Sequence, residues 1–283
     1  MSKLRHTLQL LHGGAQTGAA LTGDDRVRAV SFTGGLAGGR AVAAACAQGI
    51  KPAQLELGGN NPLVVLEDAD IAAAIDGVVA ALTTLNGQWC RALGRLLVHR
   101  ERQDELLAGV MERLANIRLG SSLDPDSQMG PLVSRGHRDL VASRLASLRS
   151  LGGECHQATP LPDLPGWFLP PTLLTGLDPA QTLEEIFGPV AVVHAFDNDA
   201  EAIKLANQTP FGLAAYVFGE EQHAWTVARG IRSGLTKINA VTLFNLHPAA
   251  PRPAWGLSGL GDEGTRETYE FFRGTRVIGV AAA

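Results

Sequence analysis

The stretch Val27-Arg28-Ala29-Val30-Ser31-Phe32 runs into Thr33-Gly34-Gly35-Leu36-Ala37-Gly38-Gly39 and then into an alanine-rich segment over residues 40–48. A compact apolar strand, a glycine turn and a helix in that order form the layout of a dinucleotide-binding α/β unit. Upstream, residues 8–12 read as a short strand stopped by Gly13-Gly14, and residues 16–21 as a short helix. Downstream, residues 53–57 and 63–66 read as further strands. Strands and helices alternate with short connections, which favours a parallel sheet.

The same alternation continues along the chain. Residues 70–85 read as a helix that is apolar nearly all round and therefore buried, with Asp70 as its N-cap. Residues 95–99 read as a strand, and residues 101–117 as an amphipathic helix with Leu106, Leu107, Val110, Met111 and Leu114 on one face. A Gly/Ser/Asp/Pro-rich loop over 119–131 leads to a surface helix at 135–151, and Thr172-Leu173-Leu174 reads as a strand. Strands are then expected at 190–196, 213–218 and 235–239, with helices at 199–207 (capped by Asp199) and 221–232. A Pro/Gly-rich loop over 248–264 precedes a last helix near 266–273 and a strand at 276–280. The fold class predicted is α/β: the remnant of a Rossmann-like cofactor domain over residues 1–58, a doubly wound α/β domain over 59–258, and a C-terminal helix and strand over 259–283.

Composition narrows the partners. Apolar residues make up 45% of the 283, charged residues 18%, and the 33 glycines and 15 prolines fit a globular chain with short turns. That length is enough for about two domains of ~100–200 residues each. The net charge of −4 argues against nucleic acid or an anionic membrane as the main partner, since either needs a basic face. No apolar run is long enough for a membrane span, and the first residues do not build a signal peptide. The three cysteines, Cys46, Cys90 and Cys155, are widely spaced without a CxxC pair. That argues against a disulfide framework or a metal site and makes the reducing cytoplasm the default compartment.

One cysteine has a distinctive setting, Thr84-Leu85-Asn86-Gly87-Gln88-Trp89-Cys90-Arg91. Upstream stands Leu55-Glu56-Leu57-Gly58-Gly59-Asn60-Asn61-Pro62, and downstream Glu184-Glu185-Ile186-Phe187-Gly188-Pro189. A soft nucleophile, an isolated carboxylate before two glycines, and an acidic segment closing on Gly-Pro suggest covalent catalysis by a thiolate, with the carboxylate activating water. Cys46, in an alanine-rich helix, and Cys155, at a loop edge, read as packing residues.

Taken together and in order, these segments resemble the NAD(P)-dependent aldehyde dehydrogenase superfamily. Further matching pieces are Met129-Gly130-Pro131-Leu132-Val133-Ser134, Pro171-Thr172-Leu173-Leu174, Asn207-Gln208-Thr209-Pro210-Phe211-Gly212, Ile238-Asn239 and Ser258-Gly259-Leu260-Gly261. The resemblance implies that Cys90 attacks an aldehyde carbon and that Glu56 activates the water that hydrolyses the resulting thioester. It implies a cofactor, NAD or NADP, held by Phe32, Thr33, Gly34, Gly35, Gly39, Leu57, Gly58, Glu185 and Phe187. It places Trp89, Asn239 and Phe244 near a small-molecule aldehyde, with Trp255 as another candidate for that wall. No metal is implied. Residues 276–280 resemble the family's oligomerisation segment, which implies a homo-oligomer, a dimer or tetramer.

The resemblance begins at the later half of the family's cofactor domain. The family's Pro-Trp-Asn motif and its ribose-holding lysine would stand upstream of residue 1. Two other readings of the same residues remain open: a non-catalytic homologue that acts by packing or assembly, and a thiol esterase that uses Cys90 and Glu56 without a dinucleotide.

Overall fold

A computed structural model describes residues 7–242 and 246–280. Its first helix, α1 (Ala15–Gly23), is followed by strand β1 (Val30–Thr33), helix α2 (Leu36–Gln48) and strand β2 (Ala53–Glu56). β1 and β2 are parallel, with Thr33 level with Glu56. On its other side β2 pairs antiparallel with β13 (Gly259–Leu260), a segment from near the far end of the chain. Lys51 Nζ donates to the carbonyls of Thr22 and Asp24 (2.8 and 2.7 Å), a cation placed at the negative C-terminal end of α1.

The main sheet has seven strands. In chain order they are β3 (Asn61–Val65), β4 (Leu93–His99), β5 (Glu154–His156), β6 (Thr172–Thr175), β7 (Val190–Phe196), β9 (Ala214–Phe218) and β10 (Leu235–Ile238). In space they run β10-β9-β3-β4-β7-β6-β5, all parallel except β5. Successive side chains point to opposite faces. Leu63, Val65, Leu96, Val98, Tyr216 and Phe218 therefore pack under α3 (Ile71–Thr83) and α4 (Gln103–Ala115). Val64, Leu66, Leu97, Ala215 and Val217 pack under α6 (Asp199–Ala206) and α7 (Glu221–Gly230). Helix α5 (Arg135–Ser150) covers the β6–β7 end through Val141 and Leu145. Helices on both faces of a mostly parallel sheet make this the expected doubly wound α/β architecture.

Several local expectations change. Residues 8–12 form no strand, and Leu8, Leu10 and Leu11 are exposed, because no neighbouring strand offers them a ladder. The expected oligomerisation strand at 276–280 is likewise unpaired within the single chain, with Val280 96% exposed. A strand needs a partner, and none of the described residues supplies one there. Cys155 lies within β5, not in a loop. Helix α3 buries Ala74, Gly77, Val78, Ala81 and Leu82 but exposes Ala72, Ala73 and Asp76, so small residues rather than full burial account for its apolar outer face. Asp70 caps it as expected, accepting from the N–H groups of Ala72 and Ala73. Helix α6 is capped by Asn198 instead of Asp199. The loop over 248–264 contains β11 (Arg252–Pro253), β12 (Trp255–Gly256), β13 and β14 (Asp262–Glu263); β12 pairs with β8 (Phe211–Gly212). The last helix, α8, spans Thr265–Phe271.

Arg95 is the largest polar side chain sealed inside, 2% exposed on β4. Among the described residues its guanidinium meets no carboxylate and donates instead to three carbonyls, Asn60 (3.0 Å), Leu205 (2.7 Å) and Ala206 (2.9 Å). Burial lowers its pKa to about 10, and its charge helps hold the neighbouring His194 down at about 4, behind the larger effect of that histidine's own burial. The chain before Cys90 is held differently. Leu85, Asn86 and Gly87 are consecutively left-handed (φ 51°, 59° and 67°), which ends α3 two residues before the expected limit. Asn86 secures the turn by accepting from the Gly130 N–H (2.8 Å) and donating to the Pro131 carbonyl (3.2 Å), and Gln88 Oε1 accepts from the Val133 N–H (2.9 Å). On the other side a Cβ at Gly87 would strike the Gly188–Pro189 backbone.

Replacing Arg95 by Met removes the guanidinium donors from the Asn60, Leu205 and Ala206 carbonyls, of which Leu205 keeps the Gln208 N–H, and should cost about 3 kcal/mol, read as a fall in urea-unfolding free energy. Gly87→Ala adds both left-handed strain and a clash with backbone, and should cost about 2 kcal/mol or more. Thermal melting measures that loss, and a slowed alkylation of Cys90 reports the displaced turn.

Candidate active site

The two chemically distinctive residues stand on different sheets. Glu56 ends β2 in the three-stranded sheet, and Cys90 lies in the connection between α3 and β4 of the seven-stranded one. The link is the Gly58-Gly59-Asn60-Asn61 crossing. Asn61 Nδ2 donates to the carbonyls of Cys90 (2.9 Å) and Ala92 (2.8 Å), while its Oδ1 accepts from the Ala214 N–H (3.1 Å). Asn60 Nδ2 donates to the Thr182 carbonyl (2.8 Å). The asparagine pair thus fastens the thiol segment, the sheet and the arm carrying Glu185.

Glu56 is 8% exposed, and its Oε1 is buried without a hydrogen-bond partner. Burial raises its pKa to about 7, reinforced by the Glu263 and Asp262 carboxylates and opposed by the Arg91 and Arg252 guanidinium groups. Cys90 is a free, half-buried thiol. Burial pushes its pKa up, Arg91 pulls it down, and the Glu56 and Glu185 carboxylates push it up again. The thiol and both carboxyl groups therefore share one electrostatic neighbourhood. Trp89, half-buried beside Cys90, accepts from the Ala92 N–H through its carbonyl.

Around Glu56 the backbone is fixed on three sides. Its carbonyl accepts from the Gly34 N–H (3.0 Å), and the Leu57 N–H donates to the Ser258 carbonyl (2.8 Å). The buried side chain of Leu57 fills the space a Cβ at Gly39 would need. Gly39 thus lets α2 approach β2 closely. Phe32 lies under Gly34 and Gly38 in the same way, and Thr33 is exposed at the strand end. Gly35 is open: no atom approaches its Cβ position, and it caps α2 without any side-chain bond. A helix start of this kind, with bare amides and no side chain in the way, suits a phosphate group.

Glu185 Oε1 accepts from the Gly59 N–H (2.8 Å), and a Cβ at Gly58 would strike its other oxygen. Burial raises its pKa to about 7, opposed by that N–H. Phe187 has φ 54°, is partly exposed, and accepts from His137 Nε2 through its carbonyl (2.7 Å). A cavity of about 420 Å³ between α5 and this arm touches Asn60, Arg144 and Glu185, but Cys90 does not line it. It belongs to the back of the arm.

Other expected site residues have structural duties. The Asn239 amide accepts from the Gly219 N–H (3.0 Å) and donates to the Gly219 carbonyl (2.9 Å), so both its ends are used in closing the turn after β9. Trp255 is half-exposed on β12, its backbone level with Gly212. Phe244 lies outside the described residues. Sequence reading had no signal for Asn61 as a fastener, or for the carboxylates of Asp262 and Glu263 around Glu56. Those relations depend on strands that meet only in the folded chain.

The profile of the aldehyde dehydrogenase family matches residues 5–278. A betaine aldehyde dehydrogenase of Cereibacter sphaeroides is 39% identical over 267 residues, covering 93% of this chain and 55% of that protein. A succinate-semialdehyde dehydrogenase [NADP(+)] of Mycobacterium leprae is 34% identical, covering 93% and 58%. The crystal structure of a Staphylococcus aureus betaine aldehyde dehydrogenase in complex with NAD+ superimposes with a TM-score of 0.85 at 33% identity, covering 92% of this chain and 53% of that one. The chain thus spans a little over half the length of these relatives. Among the described residues no helix is long and apolar enough to cross a membrane. With its match running almost from end to end, the chain belongs to the aldehyde dehydrogenase family.

Proposed function

We propose that this chain carries the thiol and the base of an NAD(P)-dependent aldehyde oxidation that yields a carboxylic acid. The observation that carries the reading is the pairing of Cys90 with a buried, unpartnered Glu56 carboxyl inside one electrostatic neighbourhood. The Cys90 thiolate adds to the aldehyde carbon to give a thiohemiacetal. Arg91 favours the thiolate, and Asn61 fixes the carbonyl next to the sulfur. Bound NAD(P)+ would supply the acceptor for the hydride whose loss turns the thiohemiacetal into a thioester. Glu56 then takes a proton from water, the hydroxide displaces the thiolate, and the acid is released. A carboxyl held at about 7 suits that step, because it is both ionised and appreciably basic near neutral pH.

The residues present fit such a cofactor. The bare start of α2 at Gly35 would receive the pyrophosphate. The Glu185 carboxylate would accept from ribose hydroxyls, since one of its oxygens is not committed to Gly59. Phe32 and Leu57 support that turn from below, and Phe187 on the arm would pack against the nicotinamide. Trp89 stands on the aldehyde side of the thiol. Reducing surroundings such as the cytoplasm keep a free thiol of this kind usable. Within residues 276–280 the exposed apolar side chains of Val277, Ile278 and Val280 supply a segment for pairing with a second copy.

With NAD(P)+ and an aldehyde, Cys90→Ser should abolish NAD(P)H formation. Glu56→Gln should retain one burst of NAD(P)H per thiol while the steady rate falls by about 10²-fold or more, seen in stopped-flow absorbance. An unchanged steady rate would remove Glu56 from the mechanism. Thioester release should rise as pH passes through about 7, because the base works only when ionised. In a fluorescence titration, Glu185→Ala should weaken dinucleotide binding about tenfold, the value of one lost charge-assisted hydrogen bond. Cys90 alkylation should be retained in that variant.

A further inference from the structure

Two cations are buried close to one another: Arg91, beside the thiol and within the field of the Glu56 carboxyl, and Lys237. Arg91 is 7% exposed and Lys237 5% exposed. Arg91 is held in place through its backbone: its carbonyl accepts from the Tyr216 hydroxyl (2.7 Å), and Tyr216 on β9 lies in register with Lys237 on β10. Lys237 Nζ donates to the Thr242 carbonyl, at the start of the loop that follows β10. Among the described residues neither cation makes an ion pair, and Arg91 Nε is buried without a hydrogen-bond partner. The two sense each other, since burial and then Arg91 lower the proton affinity of Lys237. Adjacent buried cations are costly unless an anion joins them.

We propose that Arg91 and Lys237 form an anion-binding end of the aldehyde site, so that the substrate is an aldehyde carrying a carboxylate a few bonds from its carbonyl. This rests on Cys90 being the nucleophile of the proposed oxidation. Arg91 follows Cys90 directly and lies within its field, so a molecule bonded to the sulfur comes under the same cation. A guanidinium offers paired donors for a carboxylate, and the Lys237 ammonium adds a second charge. The same charges oppose a trimethylammonium aldehyde, the kind of substrate named for the Cereibacter sphaeroides relative. Neither Arg91 nor Lys237 touches a reacting atom in this assignment; they select the substrate.

The test uses thiol reagents that differ only in charge, read at Cys90 by peptide mass spectrometry. In each reaction the thiolate displaces iodide, forming an S–C bond as the C–I bond breaks. Dividing the iodoacetate rate by the iodoacetamide rate cancels any change in thiolate fraction. The quotient in the wild-type chain should exceed that of N-acetylcysteine, and should fall about tenfold or more in Arg91→Gln, less in Lys237→Gln, and little in Arg91→Lys. In NAD(P)H assays, kcat/KM for a four-carbon oxo acid should exceed that for its methyl ester, and Arg91→Gln should erase the difference. A wild-type quotient equal to that of N-acetylcysteine overturns the anion site, whether or not the variants fold. An Arg91-dependent quotient with no NAD(P)H from any aldehyde leaves the anion site standing and sinks the dehydrogenase reading instead.

Discussion

The amide of Asn61 is the fastener on which the arrangement depends. One short polar side chain ties the carbonyls of Cys90 and Ala92 to the N–H of Ala214, joining the thiol segment to the β3–β9 part of the sheet. Asn60 beside it reaches the arm through Thr182, and its own carbonyl receives Arg95. Buried amides of this kind are secure only when every donor and acceptor is matched, and here they are matched largely to main chain. The backbone that carries the sulfur is thereby held in place.

The acid is governed by the opposite condition. Glu56 keeps one oxygen unmatched, feels the Glu263 and Asp262 carboxylates, and is drawn toward ionisation by Arg91 and Arg252. An unsatisfied buried carboxyl costs stability, and the neighbouring hydrogen bonds from Gly34 and Leu57 prevent the strand from relaxing away from it. Firm backbone around a poorly solvated side chain is how a fold keeps a carboxyl basic near neutral pH.

Much of this was legible in the sequence. Unbroken apolar runs located β3, β4, β7 and β9, since strands covered on both faces carry little alternation. The Asp70 cap and the glycine turn before α2 were equally plain. What failed depended on distant partners. Residues 8–12 and 276–280 are apolar enough for strands but have no ladder in the single chain. The left-handed run at Leu85 and Asn86 has no local sequence cause beyond the asparagine; contacts to Gly130, Pro131 and Val133 impose it. Arg91 carries no sign of its burial, because Tyr216 and Lys237 come from strands more than a hundred residues later.

The strand that bears Glu56 is clasped between an early neighbour, β1, and a late one, β13, whereas the sulfur is moored to the larger sheet. Such modules can open at different free energies. In the proposed oxidation, opening of the smaller module alone would strip away water activation while the nucleophile stayed intact. The outcome would be a protein that accepts an acyl group and fails to let it go, silenced by its own cargo well before it melts.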